Sequence, residues 1–179
     1  MYFEFINKTK LCAGEHALSH LEYECHQYHM KHPLIITDEV LYQLKYIDII
    51  KKYLFVDYTL YTHVPVDSSI HVIEDIHKFY IEEECDGVIA VGGGSVLDTA
   101  KGVVLMLSHE CDSIEDILGF EDLKKGLDIP FFAIPSTSGT GSEATCVAVI
   151  SHPEKQVKLE IISQHVQSGV GFVDPLLTT

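Results

Sequence analysis

The sequence predicts an α/β fold: a Rossmann-like, largely parallel sheet with helices on both faces and a small β appendage near the C-terminus. Three observations carry this reading. Short apolar runs alternate with amphipathic stretches between residues 33 and 135, the pattern of βαβ units. One run, "GVIAV", leads directly into three glycines and then a helical periodicity. The last stretch, "EATCVAVISHPEKQVKLEIIS", reads instead as two β segments around a His-Pro turn, a hairpin.

The elements follow in order. "HALSHLEYECHQYHMKH" is an amphipathic helix with Leu18, Leu21 and Cys25 on its apolar face. "PLIITD", residues 33–38, is a strand ending in an acid. "EVLYQLKYIDIIKKY" is a helix with Val40, Leu44, Ile47 and Ile50 at helical spacing, and "LFVDY", residues 54–58, is the next strand. After a serine cap, Ile70, Ile73, Ile76 and Tyr80 mark one face of a helix. "GVIAV" is a buried strand. In "SVLDTAKGVVLMLS", Val96, Ala100, Val103, Val104 and Leu107 share a helical face, and "IPFFAIP" is a further strand.

At 179 residues and 46% apolar composition the chain fits one globular domain with a sizeable core. No apolar run approaches the ~18 residues of a spanning helix, so no membrane association is expected. The opening "MYFEFINKTK" has no basic start before an apolar block, and the expected location is the cytoplasm. Net charge is −15, and all twelve cations are lysines. That argues against a nucleic-acid partner, which needs basic patches, and leaves any bound phosphate to backbone N–H groups and lysine. The five cysteines show no knuckle or redox spacing and read as reduced thiols.

Ligands of open α/β sheets bind at the carboxyl ends of strands, and three features fall there. Gly92, Gly93 and Gly94 precede a helix whose first N–H groups and dipole favour an anion. Their freedom to take positive φ suits a phosphate cradle. A tight turn with Ser95 as N-cap and Asp98 as capping-box acid is the alternative. Asp38 is placed to accept from both ribose hydroxyls of an adenosine and to repel a 2′-phosphate, favouring NAD over NADP; a helix N-cap is its other reading. "PSTSGTGSEAT", residues 135–145, sets two glycines among hydroxyl residues suited to a polar ligand. Lys158 is a cation that could reach a phosphate, or an ordinary strand lysine. His16 with His20, and His26 with His29, have helical spacing, but no acid completes a site, leaving surface histidines or a weak Ni²⁺ or Zn²⁺ site.

Together, "GVIAVGGGSVLDTAKG", "AIPSTSGTGSEAT" and "FVDPLLT" resemble the iron-containing (group III) alcohol dehydrogenases, a superfamily that also holds glycerol dehydrogenases and dehydroquinate synthases. The resemblance implies an N-terminal dinucleotide-binding domain spanning 1–179, followed in the family by a C-terminal helical domain that holds a divalent metal, usually iron. It implies that Gly93, Gly94, Ser95 and Asp98 match the pyrophosphate-binding GGGSxxD motif. Thr137, Ser138 and Thr140 then match the loop contacting the cofactor, Lys158 a lysine near its ribose and phosphates, and Asp67, more loosely, an asparagine against the adenosine. The implied cofactor is NAD, and the implied reaction is hydride transfer with a small alcohol or aldehyde. The family's metal ligands fall past this sequence, so these 179 residues alone are expected to be inactive and no metal site is assigned to them. Ser168 and Gly169 stand where the family commonly has Pro-Asp. Apolar surface facing the second domain is expected to drive self-association into a homo-oligomer. A non-catalytic nucleotide-binding or interaction module is the alternative of a different class.

Overall fold

The computed structural model describes residues 2, 7–117 and 128–178. Among them the strands are β1 (Lys10–Ala13), β2 (Pro33–Ile36), β3 (Thr59–Tyr61), β4 (Gly87–Gly92), β5 (Phe131–Pro135), β6 (Val147–His152), β7 (Val157–Ile162) and β8 (Val170–Val173). The α-helices are α1 (Leu21–Gln27), α2 (Glu39–Gln43), α3 (Tyr46–Ile50), α4 (Ile70–Glu82) and α5 (Gly94–His109). Six strands form one sheet in the order β1-β8-β5-β4-β2-β3, every described pair parallel. β6 and β7 form a separate antiparallel hairpin whose turn follows His152. The Rossmann-like sheet and its β appendage are therefore as the periodicity indicates.

Strand alternation divides the core into two layers. Val88 and Ala90 of β4 face a cluster with Ile73, Ile76 and Leu97. Ile89 and Val91 face the opposite cluster, with Leu21, Ile47 and Phe172. Phe132 anchors the second layer by edge-on contacts to Tyr28 at 5.2 Å and Phe172 at 5.9 Å. α5 is buried on nearly every side, including Leu97, Lys101, Leu105 and Met106 outside the expected stripe. The cause is a second cover: the sheet packs on one side of α5 while β6 packs on another.

Several expected elements differ. Residues 39–53 are two short helices rather than one, separated by Lys45 in the left-handed region at φ 64°. Val40 and Leu44 are consequently exposed, and Leu41, Ile47 and Ile50 supply the buried face. The strand expected at 54–58 lies instead at Thr59–Tyr61, pairing Leu34 with Thr59. Leu54 is a buried plug, and the Phe55 N–H goes to Glu22 Oε2 at 2.8 Å rather than to a strand ladder. β1 and β8, unread from the sequence, are four-residue strands that pair with each other. Ile70, Ile73, Ile76 and Tyr80 are buried as expected, but the Ser69 side chain makes no capping bond. The five cysteines are unpaired thiols, and burial pushes Cys25 up to about 12. No described helix is long and apolar enough to cross a membrane.

Candidate functional site

Sheet order reverses around β2, which has β3 on one side and β4 on the other. The loops after β2 and β4 must leave in opposite directions, which opens a crevice at their carboxyl ends. Thr37 Oγ1 ties those two ends together by donating to Val91 O at 2.8 Å. The next residue, Asp38, caps α2 by accepting from Leu41 N through Oδ1 at 2.8 Å. Capping uses one carboxylate oxygen, and the residue itself lines the crevice.

The glycine turn follows β4. None of Gly92, Gly93 and Gly94 takes positive φ; among the described glycines that region holds Gly14, Gly139 and Gly141. Their absent side chains answer to crowding instead. A Cβ on Gly93 would lie 3.3 Å from Thr137 Cγ2, and one on Gly94 would lie 3.3 Å from Thr140 Cγ2. The loop after β5 thus closes directly over bare backbone, anchored where Ser136 N donates to Gly92 O at 3.0 Å. Helix α5 starts at Gly94 with Gly93 as its N-cap and no capping side chain, so the N–H groups of its first turn have no partner within the helix. Asp38, Val66, Gly93, Gly94, Ser95 and Thr137 all line one cleft of about 450 Å³.

Neither expected capping role holds for Ser95 and Asp98. The Ser95 hydroxyl donates to Val66 O, fixing the 65–69 loop to the cleft. Asp98 turns away from the cleft: Oδ1 accepts from Ser142 Oγ, in the loop before the hairpin, at 2.7 Å, and Oδ2 accepts from Val149 N of β6 at 3.0 Å. Asp67 and Lys158 pair with each other at 3.3 Å on the surface, both well exposed. They meet because Ser151 N donates to Ser68 O at 2.7 Å, and Ser151 is the register partner of Lys158. Such an exposed pair contributes ~0–1 kcal/mol and yields readily to a ligand. Ser138 is exposed and does not line the cleft. A larger cavity of about 630 Å³ lies at the amino ends of β5 and β8, away from the converging loops. Among the described residues, no group of three or more His, Cys, Asp or Glu side chains is arranged to hold a metal ion.

Comparison with known proteins fits this geometry. Residues 8–175 match the family model for iron-containing alcohol dehydrogenase. The chain belongs to the iron-containing alcohol dehydrogenase family. It is similar to the NAD-dependent methanol dehydrogenase of Bacillus methanolicus, 37% identical over 113 residues, 63% of this chain and 28% of that protein. It is also similar to choline dehydrogenase of Bacillus subtilis (strain 168), 30% identical over 177 residues, 94% of this chain and 43% of that protein. Among solved structures, the alcohol dehydrogenase from Oenococcus oeni superposes with TM-score 0.88 at 34% identity, covering 98% of this chain and 47% of that one. A 1,3-propanediol oxidoreductase superposes at TM-score 0.92 with 29% identity, over 99% of this chain and 47% of the other. The chain thus spans less than half the length of these relatives.

Two family motifs take on structural meaning here. Asp174 of "FVDPLLT" is buried, accepting from Leu18 N at 3.3 Å and Leu176 N at 3.1 Å, so it locks the end of β8 to the turn before α1. At the departure from Pro-Asp, Gly169 leaves room for the Tyr28 ring, 3.0 Å from where a Cβ would stand. Ser168 donates to Glu143 O at 2.6 Å. Sequence reading passed over Lys101, which is fully buried. Burial pushes its ammonium below the ordinary lysine range, while neighbouring Asp98 pulls it back. A polar residue inside an apolar helical run, "AKGVVLML", was the available signal.

Proposed function

We propose that this chain is the NAD(H)-binding domain of an iron-type alcohol dehydrogenase, spanning residues 1–179, and that the helical metal-binding domain of the family lies outside these residues. One observation carries the reading: Asp38, the Gly93–Ser95 turn and Thr137, from three separate strand ends, line one cleft at the reversal of strand order. The name of the methanol dehydrogenase relative supports NAD as the cofactor.

In this reading the bare backbone of Gly93 and Gly94 and the free N–H groups of the first α5 turn hold the pyrophosphate. The helix dipole adds ~0.3–1 kcal/mol, or up to ~2 where partly buried. Thr137 and Thr140 close over it, with Ser138 at the exposed tip. The free oxygen of Asp38 accepts from the adenosine ribose and disfavours a 2′-phosphate, so NADP binds more weakly than NAD. Asp67 and Lys158 open their surface pair to meet adenosine and phosphate at the rim. Asp98 serves the site from behind, through the loop it bonds. When bound, the nicotinamide supplies the hydride-accepting carbon, and the family's divalent metal, iron by resemblance, supplies a Lewis acid for the alcohol or aldehyde oxygen. The 179 residues alone bind the dinucleotide without turning over alcohol. They act in the cytoplasm and as a homo-oligomer.

Thermal unfolding with NAD⁺, NADP⁺ and ADP-ribose tests this. A ligand at 100 times its dissociation constant stabilises by about 2.7 kcal/mol. The expected order of apparent affinity is NAD⁺ and ADP-ribose ahead of NADP⁺. An unchanged transition with all three ligands would favour the non-catalytic interaction module instead.

A further inference from the structure

Lysine in a glycine-rich nucleotide motif is ordinarily assumed to reach a phosphate. The structure forbids that role for Lys101. Its side chain is fully buried one helical turn behind Gly94–Leu97, between α5 and the hairpin. The ammonium donates to Ser142 Oγ at 3.0 Å, Thr145 Oγ1 at 3.0 Å and Val147 O at 2.6 Å. Asp98 Oδ1 lies 3.7 Å away and itself receives the Ser142 hydroxyl. All three donors of the ammonium are spent on the 142–147 segment.

That segment ends the loop that closes over the glycine turn. Between Ser136 and Ser142 the loop has few anchors of its own: Thr137 to Thr140 are exposed, and Gly139 and Gly141 sit at φ 158° and 64°. Ser142 links both ends of the chain of contacts. Its hydroxyl bridges Lys101 and Asp98, and its N–H donates to Thr140 Oγ1 at 3.3 Å. The Thr140 methyl is the group that faces Gly94. From these contacts we infer that Lys101 is a positioning residue for the dinucleotide: with Asp98 it holds Ser142, and through Ser142 it sets the height of the Thr137–Thr140 wall over the Gly93–Gly94 cradle. The inference rests on the cleft being the dinucleotide site. Buried network and cradle share one helix, so the wall is fixed relative to the first-turn N–H groups before any ligand arrives, and less ordering remains at binding.

The test compares adenosine with ADP-ribose on the 179-residue chain, by calorimetric titration below the melting temperature of each variant. Adenosine reports the Asp38 side of the cleft, whereas ADP-ribose also needs the cradle and its wall. Lys101→Met is expected to weaken ADP-ribose about tenfold, as misplacement of a positioning element does, and to leave adenosine within about twofold of wild type. Ser142→Ala keeps the lysine but cuts the link, and is expected to show the same selective loss on a smaller scale. If Lys101→Met does not fold, Ser142→Ala decides alone. ADP-ribose binding at wild-type strength in Ser142→Ala would mean that the wall is set by other contacts, and would overturn the inference. Equal losses for both ligands would also overturn it, as a general loosening of the fold. A wild-type chain that binds neither ligand overturns the reading of the cleft itself, and the inference with it.

Discussion

Gly92→Ala is expected to destabilise the chain by about 1–3 kcal/mol, the usual cost of forcing extra volume into a packed core. The added Cβ would stand 2.5 Å from Val96 Cβ and 2.6 Å from its Cγ2. Val96 is 2% exposed, and its Cβ is fixed by the helix backbone rather than by a rotamer. The strain can be relieved only by moving β4 against the first turn of α5. Dinucleotide affinity should therefore fall together with stability. Gly102→Ala is the control. There the closest atom is Ile73 Cδ1 at 2.6 Å, the far end of a flexible side chain, and the helix gains ~1 kcal/mol in propensity. Urea unfolding of both variants checks the contrast. Equal midpoints for Gly92→Ala and wild type would show that the strand-to-helix junction yields more easily than its contacts imply.

The second large effect concerns Asp38, whose cap and proposed ribose contact can be separated. Asp38→Asn keeps an N-cap for α2 but removes the charge that meets the ribose in the proposed dinucleotide site. A hydrogen bond to a charged group contributes about 1.5–3 kcal/mol, so NAD⁺ should bind at least about tenfold more weakly. The handicap of NADP⁺ relative to NAD⁺ should shrink at the same time. Asp38→Ala should show the same binding change and lose a further ~1 kcal/mol of stability with the cap. If NADP⁺ already matched NAD⁺ on the wild-type chain, or if Asp38→Asn left the ratio alone, the carboxylate would be a cap and nothing more.

What could be read in advance divides along physical lines. "PLII", "GVIAV" and "FFAIP" are strands buried on both faces, and in each a short continuous apolar run was the signal for that. The convergence of Asp38, the glycines and the residue 135–145 loop was legible for a related reason: strand ends are visible in sequence, and parallel topology aims them all one way. "LFVDY" misled because an apolar run can also be a plug, and only the Glu22 carboxylate reveals where the Phe55 N–H goes. Val40 and Leu44 misled because Lys45 adopts a left-handed conformation that no rule of helical spacing anticipates. Ser95 and Asp98 matched a capping box in spacing, yet a tertiary acceptor took the Ser95 hydroxyl and tertiary donors took the Asp98 carboxylate. Lys101 was passed over for the opposite reason, although its place in an apolar run was a signal. A lysine is presumed solvated until a second layer, here the hairpin, is known to cover it.

The pairing of β1 with β8 sets an order on how the molecule comes into being. Lys10 aligns with Val170 and Ala13 with Val173, so β1, the first of the described strands to be made, must wait for β8, the last of them. During synthesis, β2, β4 and β5 can associate while β1 still lacks its partner. The layer of strands that carries the cleft can therefore mature from its middle outward, with the β1 edge sealed at the end. Contacts so distant in sequence slow folding, and they fall here on the rim rather than the centre. Pulse-labelling hydrogen exchange during refolding should protect Ile35 and Ile89 before Leu11. Simultaneous protection of all three would mean that the sheet closes in a single step.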